Sequence, residues 1–233
     1  MLRRKMEAVL EDWKAQQNHK PLIIKGCRQC GKTYSVRDFA SKNYKHVVYL
    51  NFFENPEYSS VFEGALDVDT IVMLLSALLG KDAVFEPGNT VIILDEIQEC
   101  PNARTSLKFF HMDGRYDVIG TGSLLGVKGY GKAPKSVPVG SETLVEMYPM
   151  DFEEYLWALN DTVTIPAITE AFQKRRALGD AIHRKIMKTF RTYMVVGGMP
   201  QAVEALVSGK TFAQIDFVKR NILSLYEEDL SKY

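Results

Sequence analysis

Residues 22–33 read LIIKGCRQCGKT, and residues 91–96 read VIILDE. The first stretch is an apolar run followed by GCRQCGKT, which fits the pattern G-x-x-x-x-G-K-[ST] of a phosphate-binding loop. Such a loop joins a strand to a helix, and residues 32–42 have helical character, so the context agrees with the pattern. The second stretch is an apolar strand that ends in two carboxylates. Together the two stretches predict a nucleotide-binding fold built on a parallel sheet.

The composition is that of a globular protein with no excess of either charge. The 233 residues are 46% hydrophobic and 25% charged, with 29 basic and 29 acidic side chains. These values exclude disorder along the whole chain and rod-like repeats, and they argue against nucleic acid covering the whole surface. Three cysteines fit a reducing compartment better than a disulfide framework. The most apolar stretch, residues 71–79, is far shorter than the roughly 20 residues that span a bilayer. We therefore predict a cytoplasmic protein with no membrane partner.

Short apolar strands alternate with helical stretches over the first two thirds of the chain. An amphipathic pattern from Leu2 to Trp13 predicts a first helix, and residues 32–42, 69–81 and 104–112 also have helical character. The predicted strands are residues 22–24, 47–52, 91–94, 116–120 and 143–148. Strands that are apolar on both faces and alternate with helices indicate a parallel sheet covered on both sides. The predicted fold class is therefore α/β.

The rest of the chain contains a predicted loop and then helices. Residues 126–140 are rich in Gly, Lys, Pro and Ser, which is typical of a loop. Beyond Asp151 the pattern is helical, except for a Gly-Gly-Met-Pro break at residues 197–200. We therefore predict a P-loop core over residues 1–155 and a small helical lid over residues 156–233.

Each residue type in the phosphate-binding loop suits a step in binding a nucleotide. Gly26 and Gly31 permit backbone conformations that turn N–H groups towards phosphate oxygens, and the following helix directs its positive dipole end at the same anion. The Lys32 ammonium can reach the β- and γ-phosphates, and the Thr33 hydroxyl can bind Mg²⁺. A chance Gly-Lys-Thr sequence is the alternative, and the flanking strand and helix argue against it.

Asp95 and Glu96, which end the third predicted strand, suit the hydrolysis of ATP. Asp95 would hold Mg²⁺ from across the phosphates, and Glu96 is placed to orient and activate an attacking water. Nucleotide kinases do not need a water-activating glutamate at this position, and GTPases carry Asp-x-x-Gly after the third strand, which is absent here. The alternative is a strand that simply ends in solvated acids.

Thr121-Gly122-Ser123 is a third polar element, after the fourth predicted strand. In P-loop ATPases with an extra strand beside the loop strand, a polar residue here contacts the γ-phosphate or the water. Thr121 or Ser123 would take that position. A plain turn is the competing interpretation.

In their order along the chain, these elements resemble AAA-type ATPases of the archaeal-ATPase-like branch, which is related to the signal-transducing STAND NTPases. Within that branch the chain is most similar to prokaryotic ATPases that carry a nuclease-like C-terminal domain. The stretches that carry the resemblance are residues 20–40, 91–110, 116–127, 147–159 and 193–203. The resemblance implies a five-stranded sheet with strand order 5-1-4-3-2, followed by a helical lid.

The resemblance also gives a meaning to the break before the last helices. In STAND-like ATPases a Gly-x-Pro turn packs its proline near the nucleotide, which implies this position for Pro200; a helix stop followed by a helix start is the alternative. Two features depart from the family. Ser141 stands where the family often has a basic residue, and the chain stops at Tyr233, where family members continue. We therefore expect that a C-terminal partner domain is missing from this sequence.

The predicted catalytic residues are Glu96 and Lys32, and the predicted Mg²⁺ ligands are Thr33 and Asp95. Contacts with ATP or ADP are predicted for Gly26, Cys27, Arg28, Gln29, Cys30, Gly31, Lys32, Thr33, Tyr34, Thr121, Ser123 and Pro200. The predicted function is hydrolysis of Mg-ATP coupled to movement of the lid and of the partner domain, in a monomer or an oligomer. The alternative is a nucleotide-dependent interaction switch with negligible turnover that acts with DNA. A small-molecule kinase is a third interpretation, for which the sequence offers no acceptor pocket.

Weaker features each have two interpretations. Cys27 and Cys30 either fill the loop or form a redox pair whose disulfide would block phosphate; zinc would need two more ligands. A basic cluster is either a solvated helix face or a stripe that contacts DNA phosphates; it comprises Lys174, Arg175, Arg176, Arg184, Lys185, Lys188 and Arg191. The lysines of the predicted loop would reach a partner or the nucleotide; they are Lys128, Lys132 and Lys135. Arg104 and Arg115 are candidate arginine fingers.

Overall fold

The computed structural model describes residues 2–123 and 140–230. The chain divides into two compact units. The sheet unit is Met6–Met147, and the helical unit combines Met1–Lys5 with Tyr148–Tyr233. Most of the predicted loop over residues 126–140, with its three lysines, lies outside the described residues. The predicted division after residue 155 stays a prediction.

The sheet unit is built on five parallel strands. In chain order they are β1 (Leu22–Gly26), β2 (His46–Asn51), β3 (Thr90–Asp95), β4 (Asp117–Ser123) and β5 (Thr143–Met147). Their order across the sheet is β2-β3-β4-β1-β5, which confirms the α/β fold and the strand order that the family resemblance implied. Because all strands run the same way, their carboxyl ends meet at one edge of the sheet.

Helices cover both faces of this sheet. They are α1 (Met6–Ala15), α2 (Lys32–Asn43), α3 (Val68–Leu79) and α4 (Pro101–Asp113), with short 3₁₀ turns at Pro56–Phe62, Gly80–Asp82 and Ile97–Glu99. The ends of these helices follow local chemistry: the Asp67 side chain accepts a hydrogen bond from the Thr70 amide at 2.9 Å and begins α3, and Gly114, with φ of 71°, ends α4.

The alternation of side chains along β3 explains why the sheet has a core on each side. Every residue of β3 is buried. Ile92 and Leu94 pack with α3 and α4 on one face, whereas Val91 and Ile93 pack with α1 and α2 on the other. Successive side chains of a strand point to opposite faces, so a strand that is apolar throughout requires cover on both.

Within its described residues, the helical unit contains five helices around a smaller core. They are α5 (Phe152–Ala158), α6 (Thr164–Gln173), α7 (Asp180–Val196), α8 (Pro200–Val207) and α9 (Phe212–Leu230). Tyr155, Val196 and Ile215 are buried at its centre. None of the helices in the described part of the chain is long and apolar enough to cross a membrane.

The first residues of the chain belong to the helical unit, which the sequence pattern did not predict. The apolar spacing from Leu2 predicts a helix, but the first helix begins only at Met6. Arg4 instead forms a buried ion pair with Glu154 at 3.1 Å and donates to the Tyr148 carbonyl at 2.6 Å. Glu154 also accepts from the Lys5 amide at 2.7 Å. These contacts hold residues 2–5 outside the helix.

The predicted break between α7 and α8 is confirmed, and one glycine in it meets a tight steric limit. Gly197, with φ of 80°, follows α7, and Pro200 is the first residue of α8. The Met150 amide donates to the Gly198 carbonyl at 2.7 Å. A Cβ atom at Gly198 would lie 2.1 Å from the Met150 carbonyl oxygen, which is backbone and cannot turn away.

We therefore expect Gly198→Ala to destabilise the helical unit by about 1–3 kcal/mol, because the Met150 backbone must shift. The measurement is urea unfolding followed by Trp157 fluorescence in a Trp13→Phe background, since Trp157 then reports on the helical unit alone. Glu204→Ala, at an exposed position of α8 in the same unit, is the matched control. Equal unfolding midpoints for the two variants would contradict the prediction.

Candidate functional site

The predicted phosphate-binding loop lies at the carboxyl edge of the sheet, between β1 and α2. Two of its residues have left-handed backbone, Gln29 with φ of 60° and Gly31 with φ of 99°. Left-handed residues in such a loop turn successive N–H groups towards one side, which creates a concavity suited to an anion. The helix α2 begins immediately afterwards at Lys32, so its positive dipole end faces the same side.

The base of the loop is packed tightly against the end of β5. A Cβ atom at Gly26 would lie 2.2 Å from the Met147 carbonyl oxygen, so only glycine fits there. The same carbonyl accepts the Cys30 thiol at 3.6 Å, and Cys30 is fully buried. Cys27 is partly exposed, and both cysteines are thiols rather than members of a disulfide. Cys30 therefore fills the space beneath the loop.

Lys32 is folded back over the loop that precedes it. Its ammonium donates to the Gly26 carbonyl at 3.0 Å and to the Cys27 carbonyl at 2.8 Å. The residue is only 6% exposed. The loop therefore contains a buried positive charge, and backbone carbonyls are its acceptors.

The Asp95 carboxylate is the point at which the two sequence motifs meet. The Thr33 hydroxyl lies 2.9 Å from Oδ2 and 3.1 Å from Oδ1, and the Thr121 hydroxyl also donates to Oδ1. The Glu96 amide adds a longer contact to Oδ1 at 3.2 Å. Asp95 is 2% exposed. Three of the predicted site residues thus come together from α2, β3 and β4.

Tyr49 completes this cluster, and the sequence analysis missed it. Its hydroxyl donates to Asp95 Oδ2 at 2.7 Å, and the Asn51 side-chain amide donates to the Tyr49 oxygen at 3.3 Å. Burial, together with the hydrogen bond to Asp95, raises the pKa of the Tyr49 phenol well above its usual range, so the phenol remains a donor. The available signal was the neighbouring position of β2 and β3 combined with the two-residue alternation of a strand.

Glu96 has an unusual backbone and a partner that the sequence analysis also missed. Its φ of 52° and ψ of 46° lie in the left-handed region, which a residue with a side chain adopts at a cost. Its carboxylate Oε2 accepts from the Gln98 side-chain amide at 2.6 Å. Within the described residues, Gln98 Oε1 and Gln29 Oε1 are buried without a hydrogen-bond partner. Buried, unpaired amide oxygens are costly; Gln29 lies in the phosphate-binding loop, and Gln98 lies two residues after Glu96.

The other predicted nucleotide contacts are distributed over both units. Ser123 ends β4 directly beside Gly26 in the sheet register. Arg28 is partly exposed on the loop, and Tyr34 is 55% exposed on α2. Pro200 belongs to the helical unit, so its contact with a nucleotide stays a prediction.

The two candidate arginine fingers are both engaged within the chain. Arg104 forms an ion pair with Glu142 at 2.6 Å, largely buried. Arg115 pairs with Asp113 at 2.8 Å and with Asp69 at 2.6 Å. Arg115 also lies just before β4, at the amino edge of the sheet, and so at the edge opposite to the loop.

The donor set around Asp95 fits a magnesium ion that is bound mainly through a nucleotide. Carboxylate and hydroxyl oxygens are the hard ligands that Mg²⁺ prefers. Among the described residues, no cluster of three or more His, Cys, Asp or Glu side chains is placed to hold a metal ion. Mg²⁺ commonly binds through one or two carboxylates together with phosphates and water, and this edge of the sheet offers one carboxylate, Asp95, beside the Thr33 hydroxyl.

Comparison with protein families gives two matches. A model described as AAA domain matches residues 18–156, which is more than half of the chain. A model described as a domain of unknown function, DUF8612, matches residues 187–233. No curated protein matches the chain.

Solved structures share the fold at low sequence identity. The Walker-type ATPase PABY2304 of Pyrococcus abyssi is 14% identical with a TM-score of 0.54, over 100% of this chain and 76% of that one. ORC2 of Aeropyrum pernix, in ADPNP and ADP complexes, is 15% identical with a TM-score of 0.44, over 66% and 50%. Drosophila ORC bound to DNA is 13% identical with a TM-score of 0.47, over 93% and 66%. At these identities the likeness concerns the fold alone.

The left-handed backbone at Glu96 gives a prediction about stability. We expect Glu96→Gly to be more stable than Glu96→Ala by about 1 kcal/mol, because glycine adopts this conformation without the steric cost of a Cβ atom. The measurement is urea unfolding followed by Trp13 fluorescence in a Trp157→Phe background.

Lys108, exposed within α4, provides the matched control pair for this comparison. There the order should reverse, and Lys108→Gly should be less stable than Lys108→Ala by about 1 kcal/mol, the usual cost of glycine in a helix. The same order at both positions would contradict the strain assigned to Glu96.

Proposed function

The chain belongs to the AAA domain family, and from that premise we propose that it binds Mg-ATP at the loop of residues 26–33 and hydrolyses it. One observation carries the proposal: the Thr33 hydroxyl and the Asp95 carboxylate, 62 residues apart in sequence, lie 2.9 Å apart at the carboxyl edge of the sheet. Strand ends at this edge are where parallel α/β folds bind ligands.

Three features of the loop support the binding of the ATP phosphates. The left-handed residues and the start of α2 present N–H groups to an anion. The Lys32 ammonium, which contacts only loop carbonyls at 2.8 Å and 3.0 Å among its hydrogen bonds in the described residues, would exchange them for phosphate oxygens. Because Lys32 is buried, its charge would act in a low dielectric and interact strongly with phosphate.

Thr33 and Asp95 would hold Mg²⁺, which supplies charge neutralisation on the phosphates when it is bound. The Thr33 hydroxyl can keep its hydrogen bond to Asp95 and still offer an oxygen lone pair to a cation. Thr121, which also donates to Asp95, would hold the carboxylate in place beside the phosphates. Both hydroxyls thus orient the acid rather than react themselves.

Glu96 would be the group that activates water. The Gln98 amide fixes one of its carboxylate oxygens at 2.6 Å, which leaves the other oxygen of the carboxylate to accept a proton. The left-handed backbone of Glu96 ends the extended course of β3 at Asp95. Strained backbone at this position is consistent with a catalytic task, since strain is retained where function requires a particular geometry.

We further propose that the helical unit acts as the lid of the enzyme, with the turn at residues 198–200 responding to the nucleotide. The stretches shared with the archaeal-ATPase-like branch support this finer assignment, as does the short turn in which Pro200 begins α8. A nuclease-like C-terminal partner domain rests on that resemblance alone.

The first test is phosphate release from Mg-ATP by the wild-type chain and by Glu96→Gln. We expect the variant to lose about 10²–10⁴-fold in kcat, because a positioned general base contributes about that much. Its affinity for ATP should stay within about twofold, since the loop is unchanged. Glu99→Gln, an exposed glutamate three residues away, is the matched control and should keep full activity.

The rival function, a switch that binds ATP or ADP and does not turn it over, predicts a different pattern. In that case wild type, Glu96→Gln and Glu99→Gln would release phosphate at the same negligible rate while all three bind nucleotide. Phosphate release that appears only with an added acceptor, and not into water, would instead indicate a kinase.

A second candidate function, binding of nucleic acid, is favoured by the exposed face of α7. Lys174 and Arg176, predicted to be part of the basic cluster, are paired with Glu170 at 2.7 Å and 3.1 Å. None of the ion pairs in the described part of the chain involves Lys185, Lys188 or Arg191, and all three are exposed. With Arg184 they form a stripe over two turns of helix that suits a row of phosphates.

We expect the triple variant Lys185→Ala, Lys188→Ala, Arg191→Ala to weaken binding to a short DNA duplex at low salt. It should also lower the slope of log Kd against log salt by about 3, because each lysine or arginine that contacts phosphate adds about one. Fluorescence anisotropy across a salt series measures both. The double variant Lys174→Ala, Arg176→Ala is the control, since both of those cations are already paired with Glu170. Equal losses in the two variants would contradict the assignment.

A further inference from the structure

The two oxygens of the Asp95 carboxylate have different hydrogen-bond partners. Oδ1 accepts from the Thr121 hydroxyl and, at longer distances, from Thr33 and the Glu96 amide. Oδ2 accepts from the Tyr49 phenol at 2.7 Å and from Thr33 at 2.9 Å. Thr33 has a single hydroxyl proton, which it can give to only one of the two oxygens at a time. The Tyr49 phenol therefore donates to Oδ2 whether the Thr33 proton is directed at Oδ2 or at Oδ1.

Tyr49 is itself held from two directions. The Asn51 side-chain amide donates to the phenol oxygen at 3.3 Å. The Asn51 side chain is itself held in place, because its oxygen Oδ1 accepts from the Phe53 and Glu54 backbone amides at 3.0 Å. The Arg37 guanidinium lies over the Tyr49 ring, 4.9 Å from its centre. Tyr49 also belongs to β2, whose backbone pairs along its length with β3. The phenol is thus a fixed donor rather than a mobile one.

We propose that Tyr49 is a positioning residue for the magnesium site: its phenol fixes the rotation of the Asp95 carboxylate, so that Thr33 and Asp95 present their oxygens to the cation together. The inference rests on the proposed function and extends it to a residue outside both nucleotide-binding motifs. Groups that orient a ligand are worth about 10–100-fold in metal affinity. Tyr49 touches neither the cation nor the nucleotide in this proposal, and acts only through Asp95.

The chain contains a second hydrogen bond from a tyrosine phenol to an aspartate, at the opposite edge of the sheet. The Tyr44 phenol donates to Asp117 Oδ2 at 2.6 Å, and Tyr44 is buried. Asp117 is the first residue of β4, so this pair lies at the amino edge. Tyr44→Phe therefore removes the same kind of hydrogen bond from the same unit without altering the surroundings of Asp95.

The experiment measures the binding of a fluorescent ATP analogue to the full chain while free Mg²⁺ is titrated, with no turnover required. For Tyr49→Phe we expect the Mg²⁺ concentration at half-maximal enhancement of binding to rise about tenfold. Affinity for the analogue in excess chelator should stay within about twofold of wild type. Tyr44→Phe should leave both values unchanged. When the same Mg²⁺ titration is followed by phosphate release, Tyr49→Phe should raise the apparent KM for Mg²⁺ more than it lowers kcat.

A second variant keeps the inference testable if Tyr49→Phe does not fold. Arg37 is exposed, and Arg37→Ala removes the guanidinium from the ring while the phenol stays intact. It should shift the Mg²⁺ midpoint in the same direction by about two- to fivefold, the range expected from loss of an exposed cation–π contact.

Two results would overturn the inference. If Tyr49→Phe and Tyr44→Phe shift the Mg²⁺ midpoint equally, the phenol has no specific role at Asp95. If Tyr49→Phe weakens binding of the analogue equally with and without Mg²⁺, Tyr49 supports the loop and not the metal site. A wild-type chain that binds no nucleotide at any Mg²⁺ concentration would overturn the proposed function, and this inference with it.

Discussion

The burial of one carboxylate organises the sheet unit. Asp95 stands at the end of a strand whose residues are all buried, and it is itself 2% exposed. An isolated carboxylate in such a place would cost several kcal/mol, so it requires donors. The donors are hydroxyls from α2, β2 and β4: Thr33, Tyr49 and Thr121. Because each comes from a different element, none of these elements can move independently without loss of a hydrogen bond to the buried carboxylate.

The same edge of the sheet combines this rigid cluster with groups that are poorly satisfied. Lys32 is buried with only backbone carbonyls as its hydrogen-bond partners among the described residues, and the amide oxygens of Gln29 and Gln98 are buried without a partner there. Glu96 adds a left-handed backbone. A fold optimised for stability alone would not collect these costs within two short segments. Their concentration beside Asp95 is what separates this edge from the well-paired amino edge, where Asp117 accepts from both His19 and Tyr44.

Local sequence patterns predicted the strands, the phosphate-binding loop and the helix break. Features that depend on contacts between residues far apart in the sequence were missed. The strands, the phosphate-binding loop and the break before Pro200 each depend on about ten consecutive residues, and all three are present. Tyr49 was missed because its contact with Asp95 exists only once β2 lies beside β3. The helix predicted from Leu2 begins later, because Arg4 finds its partner 150 residues away in Glu154. Apolar spacing carries no information about a partner at that distance.

The pairing of Arg4 with Glu154 has a consequence for the order of events during synthesis. The helical unit is assembled from two separate segments of the sequence, and the residues of the sheet unit lie between those segments in chain order. Residues 2–5 leave the ribosome well before their partners around α5, which follow only after all five strands have emerged. The sheet unit can therefore collapse while Arg4 is still unpaired, and the helical unit can close only after its second segment has emerged. A chain arrested before residue 148 would hold a complete set of strands and a short basic segment, Leu2 to Lys5, with no unit to join.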